Sequence, residues 1–278
     1  ETNEHGPAGM SSSGVGARSL CTKRRVRASG MWRTTANSSL DFVGAGGQVR
    51  AMDVLALLRR TVRVAAYAVL GLAALFAVLL ALWRFAPPVS VPMATRWATG
   101  QRVERIWRPI ESIDRNLIIA VIASEDTGFC RHHGIDWDEL MDVIDDEDGP
   151  KRGGSTLTMQ VAKNLFLWSG RSYVRKAIEI PMAMIVDLAW PKTRIFEVYL
   201  NIAEWGPDGE FGIEAGARRA FGHGADRISA RQAAHLAVTL PNPMRRNPAK
   251  PSPGLRRVAD IIAKRAANSP EVADCIGK

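Results

Sequence analysis

Two short polar clusters sit inside otherwise apolar helical pattern, and their residue types suit proton transfer and the binding of polar or anionic groups. The first reads Glu125-Asp126-Thr127-Gly128-Phe129-Cys130-Arg131-His132-His133-Gly134. The second reads Gly153-Gly154-Ser155-Thr156-Leu157-Thr158-Met159-Gln160-Val161-Ala162-Lys163-Asn164. An apolar helix that ends in adjacent carboxylates is a costly arrangement, because a buried charge must be paired or must change its pKa. Such arrangements concentrate where chemistry happens. Glu125 stands at the C-terminal end of its helix, where a negative charge is disfavoured and the carboxyl pKa is pushed up. Each residue alone also has a plain structural reading. A Glu-Asp pair can be a solvated helix end, Gly-Gly-Ser-Thr a turn, and Arg175, Lys176 and Glu179 an exposed ion pair worth ~0.3–0.5 kcal/mol.

The elements that must position these residues are read from apolar periodicity. Ile113, Leu117, Val121 and Ile122 recur at helical spacing, so residues 113–124 form an amphipathic helix that delivers Glu125. Residues 129–148 are charged and poorly periodic, and read as a loop region. Gly153-Gly154-Ser155 is a loop-to-helix junction with Ser155 as N-cap. Leu157, Val161 and Leu165 are the packing stripe of the next helix, and Thr156, Gln160 and Lys163 share another face. In residues 172–189 the core face is expected at Ile178, Met182, Ile185 and Ala189, with a kink or break at Pro181. Pro191 and Thr193 open a helix with Ile195, Val198, Tyr199 and Ile202 inward. A turn over 206–212, a helix over 213–221 stopped by Gly222, and a capping box at Ser229 and Gln232 follow. The last helix carries Leu255, Val258, Ile261 and Ile262. No alternating run argues for a sheet, and there are no repeats. The fold class is mainly α.

The formal charge of +9 suits nucleic acid, an anionic membrane surface or a phosphate-bearing substrate. The membrane signal decides more. Residues 64–83 carry no charge and match the ~20 residues that span a bilayer. Arg59, Arg60 and Arg63 precede them, which places the N-terminal side in the cytoplasm. Trp83-Arg84-Phe85 after the run suits an interface anchor better than a cleavage site. The expected division is therefore a segment 1–51, a basic segment 52–63, a transmembrane helix 64–84, a linker 85–101, a folded domain 102–270 and a tail 271–278. Segment 1–51 is rich in Gly, Ser and Arg and cannot fold alone; it reads either as a disordered tail or as sequence ahead of a true start at Met52. Cys21, Cys130 and Cys275 are odd in number and lack metal spacing, and read as free thiols.

Together and in this order the polar clusters resemble the peptidoglycan glycosyltransferases, the lysozyme-like enzymes that polymerise lipid II. Glu125-Asp126-x-x-Phe129-x-x-His132-x-Gly134 is similar to the family's first motif at every defined position. Gly153-Gly154-Ser155-Thr156 with Gln160, Lys163 and Asn164 resembles the second, and Arg175-Lys176-x-x-Glu179 the third. Lys192-x-x-Ile195-Phe196-Glu197-x-Tyr199-Leu200-Asn201 is similar to the fourth, with Phe196 where Leu is common. The stretch from Gly212 to Phe221 resembles the fifth less sharply. The likeness covers about residues 100–250, and four ordered motifs are highly specific.

The resemblance implies a monofunctional, membrane-anchored enzyme with a larger lobe and a smaller membrane-proximal lobe. That smaller lobe is expected from residues 129–148 and Phe166-Leu167-Trp168. The implied reaction joins a lipid-linked glycan, as donor, to the 4-hydroxyl of lipid II, with inversion and loss of undecaprenyl diphosphate. Glu125 is the implied base, and Lys163, Arg171, Arg175 and Lys176 the diphosphate cradle, since guanidinium forks and ammonium charge suit phosphate oxygens. Glu179 is the second acid, which orients those cations, holds a divalent ion such as Mg2+ or Mn2+, or assists the base. Ser155, Thr156, Gln160 and Asn164 are expected to hydrogen-bond sugar or phosphate, and Asp126, Phe129 and Gly134 to shape the cleft. No organic cofactor is expected. The implied setting is the bacterial inner membrane, with the domain on its outer side and other cell-wall synthesis or division proteins as partners. The rivals are a lytic transglycosylase or lysozyme-like hydrolase, in which the glutamate is an acid and no cationic cradle is required, and a non-enzymatic cell-wall adaptor. Nucleic-acid binding conflicts with export and lacks a recognisable module.

Overall fold

The computed structural model describes residues 45–145, 154–170 and 172–277; the readings for the N-terminal segment as far as residue 44, for Gly153 and for Arg171 fall outside them. The chain divides into two units, residues 1–61 and 62–278. Among the described residues the fold is almost wholly helical, as the periodicity predicts, with a single pair of two-residue parallel strands, β1 (Glu104–Arg105) and β2 (Glu210–Phe211).

Helix α1 (Ala45–Trp83) contains a stretch, Asp53–Trp83, long and apolar enough to cross a membrane. Its last turn is tied down. The Trp190 indole donates to the Leu80 carbonyl at 2.9 Å, and the Arg194 guanidinium donates to the carbonyls of Trp83 at 2.7 Å and Ala86 at 2.6 Å. A helix end leaves carbonyls unpaired, and Arg194 satisfies them. The stretch read as a linker holds a helix, α2 (Val91–Ala98), capped by Ser90 and burying Met93. Pro92 hid it: proline is tolerated in a helix's first turn, so the Pro-rich exit did not have to be extended.

Helix α3 (Arg115–Glu125) is the centre of the core. Leu117, Ile118, Val121 and Ile122 are fully buried, and the Asp114 carboxylate caps its start by accepting from Asn116 N at 2.9 Å. Part of the segment read as loop is helix α4 (Trp137–Asp145), whose Trp137, Leu140 and Met141 keep helical spacing among four acidic residues. Helices α5 (Leu157–Phe166) and α6 (Tyr173–Ala189) pack together, and α7 (Lys192–Ile202) packs on α5. Helices α8 (Ile213–Phe221), α9 (Ala230–Ala237) and α10 (Pro253–Asn268) complete the domain, α9 and α10 both lying on α3. The capping box at Ser229 and Gln232 is present, and Gly222 ends α8 in the left-handed conformation.

Three expectations are corrected by the structure. Helix α6 is continuous through Pro181, and its buried face is Glu179, Ala183 and Val186, whereas Ile178 and Ile185 are exposed. The helix is apolar nearly all round, so periodicity could not select its inner face. The residues read as a C-terminal tail form a 3-10 segment, Pro270–Ile276, that buries Ala273 and Ile276 and packs on α3. There Cys275 forms a disulfide with Cys130, so these two are not free thiols. Their separation of 145 residues gave no spacing signal.

Candidate active site

Three helices converge: the end of α3 brings Glu125, the polar face of α5 brings Gln160 and Lys163, and the first two turns of α6 bring Arg175, Lys176 and Glu179. Burial raises the Glu125 carboxyl above its ordinary range. Hydrogen bonds from Gln160 (3.1 Å) and Ser124, and the charges of Arg246 and Lys163, oppose that rise. The Gln160 carbonyl in turn accepts from the Tyr199 hydroxyl at 3.4 Å. Glu125 is thus a desolvated carboxylate held by donors, the environment that tunes a base toward neutral pH.

Lys163 joins the two acids. Burial lowers its ammonium pKa, while the charges of Glu179 and Glu125 raise it and Arg175 lowers it. One lysine therefore feels both carboxylates and the arginine beyond them. Glu179 is no surface ion pair: its side chain is 2% exposed, Arg175 is 12% and Lys176 28%. Arg175 Nη1 donates to Glu179 Oε2, and Lys176 Nζ lies 3.5 Å from Oε1 and donates to Ser155 Oγ at 2.8 Å. Burial pushes the Lys176 pKa down, and Glu179 pushes it back up. This is a positive cluster whose one internal acid keeps it in place.

The remaining first-cluster residues build the frame. The buried Asp126 carboxylate accepts from Leu157 N at 2.9 Å and contacts His132 Nε2 at 3.0 Å, so it ties the Glu125 turn to the start of α5. Thr156, rather than Ser155, caps α5. Its hydroxyl accepts from Met159 N at 3.1 Å and donates to the Gly134 carbonyl at 2.6 Å, which leaves it buried in the cap. Gly134 has φ 82°, and a Cβ there would lie 2.9 Å from the Ala183 carbonyl. Phe129 is fully buried, with Lys192 Nζ 4.7 Å over its ring. Lys192 also donates to the His132 carbonyl at 2.8 Å and to Asp187 at 2.6 Å, and so braces the first cluster from α7. Glu197 accepts from Ile110 N at 3.0 Å, a structural duty. Asn164 is half-buried on α5.

The sequence reading missed Arg246, Tyr199 as a partner of Gln160, and Ser124. Arg246 lies on the loop after α9, over a hundred positions from Glu125, and nothing local marks it. Both carboxylate oxygens of Glu179 face cations, and among the described residues no three His, Cys, Asp or Glu side chains converge.

With this geometry in view, the comparisons are concordant. Residues 92–267 match the family model described as transglycosylase. A biosynthetic peptidoglycan transglycosylase of Nitrobacter hamburgensis is 53% identical over 220 residues, 78% of this chain and 97% of that protein. One from Rhodopseudomonas palustris strain TIE-1 is 53% identical over 219 residues, covering 78% and 92%. One from Brucella suis is 50% identical over 210 residues, covering 75% and 93%. The order of the motifs, the helical fold and these matches agree, and the chain belongs to the transglycosylase family of peptidoglycan glycosyltransferases that act in cell-wall synthesis.

Proposed function

We propose that the enzyme elongates lipid-linked glycan by transfer to lipid II, with Glu125 as general base. Glu125 takes the proton of the acceptor 4-hydroxyl as that oxygen attacks the donor's anomeric carbon. The bond to the α-linked diphosphate breaks, its electron pair leaves with the undecaprenyl diphosphate, and a β-1,4 bond forms with inversion. Lys163, Arg171, Arg175 and Lys176 receive the departing charge. Glu179 keeps Arg175 and Lys176 in place, and Ser155, Gln160 and Asn164 bind sugar or phosphate. Asp126, Phe129, Gly134 and Thr156 shape the cleft.

The observation that carries this reading is that the same two helices hold the acid and the cations: Gln160 of α5 donates to Glu125, and Arg175 and Lys176 of α6 gather about the buried Glu179. A hydrolase has no use for fixed cations beside its acid. The anchor is proposed to cross the inner membrane once, N-terminus inside, with the domain on the outer face. Other cell-wall synthesis or division proteins are the proposed partners. The outward face of α6 fits the lipid surface better than Trp168 alone: Tyr173 is 96% and Leu188 89% exposed, with Val174, Ile178 and Ile185 beside them. Purified full-length protein incubated with lipid II in detergent should yield long glycan strands resolved by size. Shortened preformed glycan instead would point to a hydrolase, and no turnover of either to an adaptor.

A further inference from the structure

Beyond Glu125, toward α9 and α10, lies an open cavity of about 270 Å3 lined by the carboxylates of Glu125, Asp126 and Glu139, the apolar Val238 and Ile262, and the guanidinium groups of Arg246 and Arg265, with none of the α5 or α6 cations. Each arginine is anchored through one nitrogen: Arg246 Nη1 donates to the Val238 carbonyl at 2.6 Å, and Arg265 Nη1 to the Ala123 carbonyl at 2.9 Å. Neither has a carboxylate within ion-pair distance among the described residues. A second cavity of about 490 Å3 shares Arg246 and Val258 with the first and adds Arg245 and Lys250. The two form a trough with an apolar wall and four cations, one end of it at Glu125; of its other carboxylates, Asp126 is already engaged by His132 and Leu157 N, and Glu139 stands on α4.

We propose that this trough binds the stem peptide of the acceptor, with Arg246 and Arg265 holding its carboxylates. The proposal rests on Glu125 being the base. If the acceptor hydroxyl lies at Glu125 and the departing diphosphate at α5 and α6, groups carried by the acceptor fall on the remaining side. The stem of lipid II begins with methyl-bearing units and continues with carboxylate-bearing ones, which matches an apolar wall followed by guanidinium groups. The acceptor's own diphosphate is a poorer fit. It is tethered to lipid, and the bonds that hold the membrane helix α1 run to α6 and α7, not to this side of the domain.

The test is steady-state kinetics of the full-length enzyme in detergent, with a lipid-linked glycan donor fixed in excess and the acceptor varied. The acceptor is native lipid II or lipid II with amidated stem carboxylates. Amidation should raise the wild-type acceptor KM about tenfold with little change in kcat, the size of one charge-assisted hydrogen bond. Arg246→Gln should raise the KM for native acceptor about as much and be indifferent to amidation, and Arg246→Lys should recover part of the loss. An unchanged wild-type KM on amidation overturns the proposal. So does an Arg246→Gln defect of equal size on both acceptors, which would assign Arg246 to the diphosphate or to the fold. If Arg246→Gln does not fold, Lys250→Gln, an exposed position of the same trough, is read by the same criterion. Polymer formation from both acceptors by the wild type keeps this outcome separate from the glycosyl-transfer reading, which fails only if neither is polymerised.

Discussion

The side-chain amide of Gln160 donates to Glu125 at 3.1 Å, and this bond is what most opposes the effect of burial on that carboxylate. Tyr199 holds the other end of the same amide, so its orientation is fixed from α7. A hydrogen bond to the charged form favours it, which suits the role of base proposed for Glu125.

Glu125→Gln should abolish polymerisation, a loss of about 10²–10⁴ or more in rate if the residue is the base. The fold should not suffer. Burial places the folded pKa above the unfolded one, so ionisation opposes folding; that penalty is absent below the unfolded pKa and complete above the folded one. The neutral variant should therefore melt at or above the wild-type temperature at pH 7. Substantial residual polymer in the same preparation would remove Glu125 from the role.

The pH profile of kcat/KM should be a bell. Its acid limb lies above the ordinary carboxylate value of 4.5, because Glu125 must lose its proton to act. Its alkaline limb lies below the ordinary lysine value of 10.5, because burial lowers Lys163 and Lys176. Gln160→Ala removes a bond that favours the carboxylate, so the acid limb should move further up. An acid limb that stays fixed in Gln160→Ala would mean that another group sets it.

Glu179→Gln should damage both activity and fold. It leaves Arg175 and Lys176 without their carboxylate in a buried cluster, and breaking such a pair from one side costs about 3–5 kcal/mol. Urea unfolding of the variant measures this. A stability change under ~1 kcal/mol would show that the pair is solvated after all.

Reducing the Cys130–Cys275 bond, or replacing Cys275 with Ser, should lower stability by about 2–5 kcal/mol, since the bond closes a loop of 145 residues. Melting with and without reductant checks it. Wild type and Cys275→Ser should coincide once reduced.

Gly134→Ala should cost about 1–3 kcal/mol from its positive φ alone, with more from the close approach to Ala183. Because Gly134 accepts the Thr156 cap, the loss should appear in activity as well as in the melt.

What the sequence made legible were features whose signal is local. The helix delivering Glu125, the capping box at Ser229 and the stop at Gly222 each rest on residues within one or two turns. The acid and most of the cations stood in contiguous motifs. The rest depended on tertiary placement. An all-round apolar helix concealed that α6 turns Glu179 inward and Ile178 outward. Two adjacent hydroxyl residues could each cap α5, and the carbonyl of Gly134 made it Thr156. Neither the disulfide nor Arg246 has a neighbour in sequence that announces it.

The carbonyls of Leu80 and Trp83 at the end of α1, and of Ala86 just past it, are engaged by Trp190 and Arg194. With α1 as the proposed anchor, these bonds would keep the groove from swinging freely on its stalk and would set its distance from the lipid headgroups. On that proposal, each added sugar pair would be accommodated by the polymer sliding past a stationary enzyme, as thread is drawn past a fixed needle.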